Sequence, residues 1–413
     1  MRTLAVVTVG RSDWGIYLPV LKSLQKCPNI RIQLIAAGSH LVSQFGRTIE
    51  EVKASGFSVA GLVNCLLSDD SPEGIAKSMG LGVIGFAQHF QCSRPDVLLT
   101  LGDRFEMYAA ALAALPFQIP IAHIHGGELT LGAIDDALRH SLTKLCHLHF
   151  VATREYGRRV VQLGEEPWRV IISGAPALDA IREFIPLSVN DFYKRVGLDI
   201  ASPFLLVTYH SVTTEFHAVG HQIRELLAAL NEFSHPVLFT APNADTGSHI
   251  IREEILSYCR SRQNAKYLPH CGTELYYSAM HYAAAMVGNS SSGIIEAPSF
   301  HLPVVNIGSR QDGRIRARNV IDVGYSRKEI ADGIHRALNP RFRESLRNLE
   351  NPYGDGRAGE RIAGVLSSVP LDDRLLRKKF YDLAFYHNLE TKTDPMCYSR
   401  DMAQNEAGTA LST

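Results

Sequence analysis

No apolar run in this sequence is long enough to cross a membrane or to form the core of an export signal. The run at the start, Leu4–Val9, stops after six residues at Gly10 and reads as a buried first strand. A soluble, non-exported, cytoplasmic chain that engages no membrane is therefore expected. Cysteine is sparse: Cys27, Cys65, Cys92, Cys146, Cys259, Cys271 and Cys397 are odd in number and never fall in a CxxC pair. That spacing argues against a disulfide framework and a cysteine zinc site, and for free thiols in a reducing compartment. Charge of one sign is also missing, since Lys+Arg and Asp+Glu both number 42. Without a basic excess, no nucleic-acid surface is expected, and any anionic ligand must be met by local groups.

What is present is an ordinary globular composition, 46% apolar and 20% charged, which is enough to build a packed interior. Single cores stop growing at roughly 250–300 residues, so 413 residues imply two domains. Short β-rich apolar runs alternate with segments of helical period, the pattern of βα units. Strands are expected near Leu4–Val9, Arg31–Ala36, Asp96–Leu101, Ile119–His125 and Leu148–Ala152, with helices at Tyr17–Lys26, Glu73–Phe90 and Ile134–Cys146 among them. After the polar stretch Phe184–Asn190 a second series begins, with strands near Phe204–Thr208, Val237–Thr240, Ala284–Val287 and Val304–Ile307. The predicted fold class is α/β, two doubly wound Rossmann-like domains facing a cleft. Residues 1–180 make the first domain, 181–370 the second, and 371–413 a C-terminal extension whose polar end is expected to be disordered.

Ligands of doubly wound sheets bind at the carboxyl ends of strands, and the chemically dense motifs here follow strands. Gly10-Arg11-Ser12-Asp13-Trp14-Gly15 offers a turn, an anion-pairing Arg11 and capping groups, and equally describes a plain capped turn. Leu101-Gly102-Asp103-Arg104 sets a carboxylate beside a guanidinium. His123-Ile124-His125-Gly126-Gly127-Glu128 is followed by Asp135-Asp136-Ala137-Leu138-Arg139-His140, where Asp136 and His140 share a helix face. This gathers the groups that acid/base work on a bound anion needs, with His123, His147 and His149 read as structural. In the second half, His210 follows a strand, as do Asn243 and Asp245. Gly288-Asn289-Ser290-Ser291-Ser292-Gly293 brackets serines between a strand and a helix, with Glu296 placed to accept ribose hydroxyls. By contrast Gly80-Leu81-Gly82-Val83-Ile84-Gly85 fits the dinucleotide fingerprint but lies inside a helical-period segment, so it reads as a close-packing helix and no nicotinamide site is assigned.

Together these motifs resemble the UDP-N-acetylglucosamine 2-epimerase family, whose two-domain fold is shared with one large class of glycosyltransferases. The resemblance runs from residue 1 to about residue 366. It includes Gly308-Ser309-Arg310-Gln311-Asp312-Gly313-Arg314 and Asn351-Pro352-Tyr353-Gly354-Asp355-Gly356. The hydrolysing branch, which feeds the synthesis of sialic and related nonulosonic acids, is matched by Gly10–Gly15, by the run from Ser68, by His123–Glu128 and by the run from Arg139. The non-hydrolysing branch typically reads GHRRE where this chain has Tyr209-His210-Ser211-Val212-Thr213, and the hydrolysing pattern usually has Pro where Ser211 stands.

The resemblance implies that Arg11, Asp13, Arg104, Arg139, His210, Asn243, Ser290, Ser291, Glu296 and Arg310 bind UDP and the sugar. It implies further that Asp103, Glu128 and Asp136 face the sugar, with His125 where several members carry a catalytic Glu. The C2 base stays unassigned among these four. Implied with them are a UDP-sugar substrate, no cofactor, no metal and a homo-oligomer, dimer or tetramer. The implied reaction removes the C2 proton as UDP departs, leaving a glycal to which water adds at C1 while a proton returns to C2 from the opposite face. A non-hydrolysing epimerase, a glycosyltransferase of the same fold and a non-enzymatic UDP-sugar sensor are the rival readings, and fold alone does not choose.

Overall fold

The structure, a computed structural model, describes residues 1–42, 48–69, 71–131, 134–198, 203–242, 247–269 and 271–383. Runs such as Leu4–Val7 and Leu205–Val207 are apolar on both faces and fully buried, as strands covered by helices on both sides must be. The first sheet contains β1 (Arg2–Thr8), β2 (Ile30–Ala37), β3 (Val59–Val63), β4 (Val97–Leu101), β5 (Ile121–Ile124), β6 (Leu148–Val151) and β7 (Val170–Ile172). The second contains β8 (Leu205–Thr208), β9 (Val237–Thr240), β10 (Ala265–Leu268), β11 (Ala285–Gly288), β12 (Val304–Ile307) and β13 (Val320–Val323). The first sheet runs β3-β2-β1-β4-β5-β6-β7 and the second β10-β9-β8-β11-β12-β13. Every paired register is parallel. Each order reverses beside the first strand of its lobe, β1 against β4 and β8 against β11, which opens a crevice at the carboxyl edge. The α/β, doubly wound architecture is as the sequence implies.

The strands not anticipated from sequence, β3, β7, β10 and β13, are the outermost of the two sheets. An outer strand is covered on fewer sides, so these runs are half-exposed and lack the continuous apolar signature of the inner ones. The first helix also begins earlier than expected, at Arg11, and spans Arg11–Gln25. Asp13 starts it directly off the strand by accepting from the Val9 and Gly10 amides at 2.8 and 2.7 Å. The glycines of the apparent fingerprint lie inside the Pro72–Cys92 helix, where Gly82 approaches Ala109 and Gly85 approaches Val63. Gly82 and Gly85 are packing residues, while Gly80 faces open space.

After the second sheet the chain returns to the first lobe. The Ala358–Ser368 helix packs against Arg11–Gln25 and receives its cap from Asp179, whose carboxylate accepts from the Ala358 and Gly359 amides at 2.8 and 2.6 Å. The segment beyond it is fastened by two cations. Arg169, fully buried, donates to the carbonyls of Leu375 at 2.8 Å and Arg374 at 2.7 Å. Lys378 donates to the carbonyls of Lys144 at 2.9 Å and Cys146 at 2.5 Å, so its charge sits at the C-terminal end of the Asp135–Leu145 helix, where the helix dipole favours it. Lys378 also pairs with Glu165 at 2.8 Å, beside Lys144 at 2.6 Å and His149 at 3.0 Å. Burial alone would raise Glu165, but the His149 hydrogen bond and the two lysines outweigh it and hold the carboxyl at about 2. Among the described residues no helix is long and apolar enough to cross a membrane. The stretch from Leu389 lies outside the described residues.

Candidate active site

Asp103 leaves the end of β4, His125 and Glu128 follow β5, and Asp136 and Arg139 open the helix after them, so topology alone brings these groups to one edge. Arg139 joins them. It is buried and forms an ion pair with Asp103 and another with Asp136 at 3.5 Å. It also donates to the Glu128 carbonyl at 3.0 Å and to the Thr130 hydroxyl at 2.9 Å. Burial, and then repulsion from Arg314, lower Arg139 to about 9, which leaves it charged at neutral pH. A planar five-donor fork is suited to holding two carboxylates and a carbonyl at once. Asp136 in turn accepts from the Thr130 amide at 2.7 Å and stands 3.4 Å from His140, the contact implied by their four-residue spacing.

His125 is held in the left-handed backbone region, at a φ of 69°, uncommon for a residue with a side chain. Its Nδ1 lies 2.6 Å from Glu128 Oε1, while Glu128 Oε2 forms an ion pair at 3.2 Å with Arg314 of the second lobe. Burial would raise Glu128, but the His125 ring and the Arg314 guanidinium outweigh it and hold the carboxyl below its ordinary range. Glu128 is therefore ionised at neutral pH. His123, one register step inside, is fully buried with Nε2 bonded to the Gly102 carbonyl at 2.7 Å, so it belongs to the core.

Across the cleft, Asn289 organises the second lobe. Its side chain accepts from the His210 amide at 2.7 Å and donates to the His210 carbonyl at 2.9 Å. Its own carbonyl receives Arg310 at 3.2 Å and Gln311 at 2.8 Å. The sharp turn entering this loop needs Gly288, at a φ of 140°, because a Cβ there would collide with the Thr208 carbonyl. Burial, then Arg310, push His210 well below its ordinary value, so its ring is neutral. Ser290 caps the helix that Ser291 begins, accepting from the Ser292 amide at 3.3 Å. Glu296 closes that helix, accepts from the Tyr277 hydroxyl at 3.3 Å and is raised by burial.

The structure thus joins Asp103, His125, Glu128, Asp136 and Arg139 in one bonded cluster, and His210, Ser290 and Arg310 around Asn289. Asp13 stands apart from both, its two oxygens occupied by the turn it locks, and burial raises it to about 6. Arg104 sets its Nε 3.4 Å from the buried Glu106. The Arg11 side chain, Asn243 and Asp245 lie outside the described residues. Arg314 and Asn289 were absent from the candidates, although both stand inside quoted motifs. Arg314 becomes visible only when the lobes are docked, and Asn289 acts through backbone mimicry that composition does not mark.

Two doubly wound parallel sheets, with glycine-bracketed hydroxyls at the strand ends of one lobe and a carboxylate, histidine and arginine cluster at those of the other, define a two-lobed α/β protein of the glycosyltransferase-B-like architecture. A model of the family described as UDP-N-acetylglucosamine 2-epimerase matches residues 22–367, and the chain belongs to that family. It is 38% identical over 379 residues to the UDP-N,N'-diacetylbacillosamine 2-epimerase (hydrolyzing) of Legionella pneumophila, covering 92% of this chain and 99% of that relative. With the GDP/UDP-N,N'-diacetylbacillosamine 2-epimerase (hydrolyzing) of Campylobacter jejuni the identity is 36% over 385 residues, with coverage of 92% and 99%. The solved structure of the UDP-GlcNAc 2-epimerase from Neisseria meningitidis bound to UDP-GlcNAc has a TM-score of 0.77. It is 20% identical and spans 89% of this chain and 99% of that one, a likeness of fold.

Proposed function

We propose that this chain is a hydrolysing 2-epimerase that converts a UDP-linked N-acetylated glucosamine-type sugar and water to UDP and the free mannosamine-configured sugar, for nonulosonic acid synthesis. The observation that carries the reading is the Arg139-centred cluster of Asp103, Glu128 and Asp136, with His125 bonded to Glu128. A sensor or carrier has no need of several acid/base groups gathered beside one cleft. The relatives named as hydrolysing enzymes, each covered almost end to end, support hydrolysis over simple epimerisation and over glycosyl transfer. Because those names specify diacetylbacillosamine, the 2,4-diacetamido-2,4,6-trideoxy sugar is the first substrate to offer, and UDP-N-acetylglucosamine the second.

In this reading the first lobe, residues 1–180 with the returning Ala358–Ser368 helix, supplies the acid/base groups, and the second lobe holds the nucleotide. Arg11, His210, Asn243, Ser290, Ser291, Glu296 and Arg310 bind UDP, with neutral His210 donating to the diphosphate and Glu296 accepting from the ribose. Arg139 holds Asp103 and Asp136 in place through its ion pairs, while Asp13 and Arg104 shape the turns beneath the sugar. C2 is a weak carbon acid, so much of the barrier is lowered by stabilising the departing diphosphate, and C2 is deprotonated as that charge develops. The enzyme works in the cytoplasm as a homo-oligomer. Incubation in heavy water and oxygen-18 water tests the reading directly. The free product must carry deuterium at C2 and solvent oxygen at C1, alongside stoichiometric UDP. A UDP-linked product without solvent oxygen assigns the non-hydrolysing reaction instead.

A further inference from the structure

Glu128 is usually the residue one would choose as base, yet both its oxygens are engaged, Oε1 by His125 Nδ1 and Oε2 by Arg314. The ring it holds is the better-placed group. In its neutral form the ring carries its proton on Nδ1, towards Glu128 Oε1, which leaves the lone pair on Nε2. Among the described residues Nε2 makes no hydrogen bond, and the side chain keeps a 10% opening while Glu128 keeps 3%. The left-handed backbone at His125 is the kind of strain that persists where a side chain must be aimed.

Arg314 reaches this pair from the second lobe, and its loop is seated on both sides. The space beside Gly313 is filled by Leu129 of the first lobe. The Ile315 amide donates to the Tyr156 hydroxyl at 3.1 Å, and the Ile315 carbonyl accepts from Tyr353 at 2.9 Å. Tyr156 belongs to the first lobe, so the loop docks there directly.

We propose that His125 Nε2 accepts the proton from C2, and that Glu128 and Arg314 are positioning residues acting through His125, with docking of the second lobe's Arg314 completing the arrangement; this rests on the epimerase reading above. The step balances without a further reagent. The C2 proton passes to Nε2, the C–H electron pair becomes the C1–C2 double bond, and the C1–O pair leaves with UDP. The imidazolium so formed is neutralised by Glu128, whose ionisation Arg314 protects.

The test is a double-mutant cycle read by single-turnover UDP release and by C2 deuterium incorporation in heavy water. His125→Gln is expected to slow release by about 10³-fold or more, the range for loss of a general base. His125→Glu, which restores a base at the same place, should recover to within about 100-fold of wild type. Glu128→Gln should cost on the order of 10²-fold in the wild type but under about 3-fold in the His125→Glu background, because it no longer has a ring to orient. Arg314→Met should follow the same pattern at about 10-fold, with Arg314→Lys recovering most of the loss and UDP affinity unchanged by calorimetry. Equal costs of Glu128→Gln in the two backgrounds, or a His125→Glu enzyme as slow as His125→Gln, would overturn the proposal while leaving the epimerase reading standing. A wild-type enzyme that releases UDP without placing deuterium at C2 would instead overturn that reading, and the proposal with it.

Discussion

Replacing Glu165 by Gln should destabilise the protein by an amount that depends on pH in a defined way. In the folded chain this buried carboxylate is bonded to His149, Lys144 and Lys378, and its pKa falls from the ordinary 4.5 to about 2. A carboxyl depressed in the folded state contributes stability that is fully present above its unfolded value and lost as pH falls towards its folded one. The drop is equivalent to about 3 kcal/mol, and roughly 2 kcal/mol remains once the screening of half-exposed Lys144 is allowed for. Glu165→Gln should therefore cost about 2 kcal/mol at pH 7. By pH 3.5 the wild type should have given up about 1 kcal/mol of that advantage, so the two urea midpoints converge. Parallel loss of stability in both proteins between these pH values would refute the reasoning. The expected acid loss also moves Lys378, whose charge caps the helix carrying Asp136 and Arg139, so kcat should fall in Glu165→Gln more than UDP affinity does.

In the second lobe, His210→Ala and Glu296→Ala should each weaken UDP binding about 5- to 30-fold, equivalent to about 1–2 kcal/mol, with the melting temperature nearly unchanged; unaltered calorimetric affinity would remove them from the nucleotide site. Asn289→Ala should do more damage than His210→Ala, because it removes both side-chain bonds that hold the His210 backbone, and limited proteolysis near residue 210 would report it. Asp103→Asn should lower kcat with UDP affinity retained, whereas a rise in KM alone would assign Asp103 to ground-state binding. Activity should persist in excess chelator, and its recovery on adding zinc or manganese after a loss would contradict a metal-free reaction.

The inner strands were legible because they are apolar on both faces. Val237–Thr240 and Val304–Ile307 fall where the pattern set them, while outer strands such as Ala265–Leu268 were not seen, since half-covered runs need fewer apolar residues. Much of the site was legible for a related reason. Asp103, His125, Glu128, Asp136 and Arg139 all follow adjacent strands, so sequence order nearly dictates their meeting. The Asp136–His140 contact follows from helical spacing alone. Arg314 was not legible, because its partner lies in the other lobe, 186 positions away (314 − 128 = 186), and nothing local in the sequence records that docking. Asp13 shows the converse. Its residue type and place suit a ligand-binding turn, yet its oxygens are used by the amides of Val9 and Gly10.

The fastening of residues 374–378 onto Arg169 and the end of the Asp135–Leu145 helix also sets an order of events during synthesis. Every strand of the first sheet has been made once Ile172 is added, yet the carbonyls that satisfy the buried Arg169 guanidinium lie about two hundred residues further along. At roughly 5–20 residues per second, a ribosome needs about 10–40 s to cover that distance. Throughout that interval the nascent first lobe holds an arginine that has Glu166 and the His147 carbonyl but lacks the acceptors of residues 374 and 375, and a helix end without its lysine. The lobe that is translated first is thus the last to be completed, and a chain truncated before Arg374 would leave the Asp135–Leu145 helix without its C-terminal lysine although every residue of that helix was present.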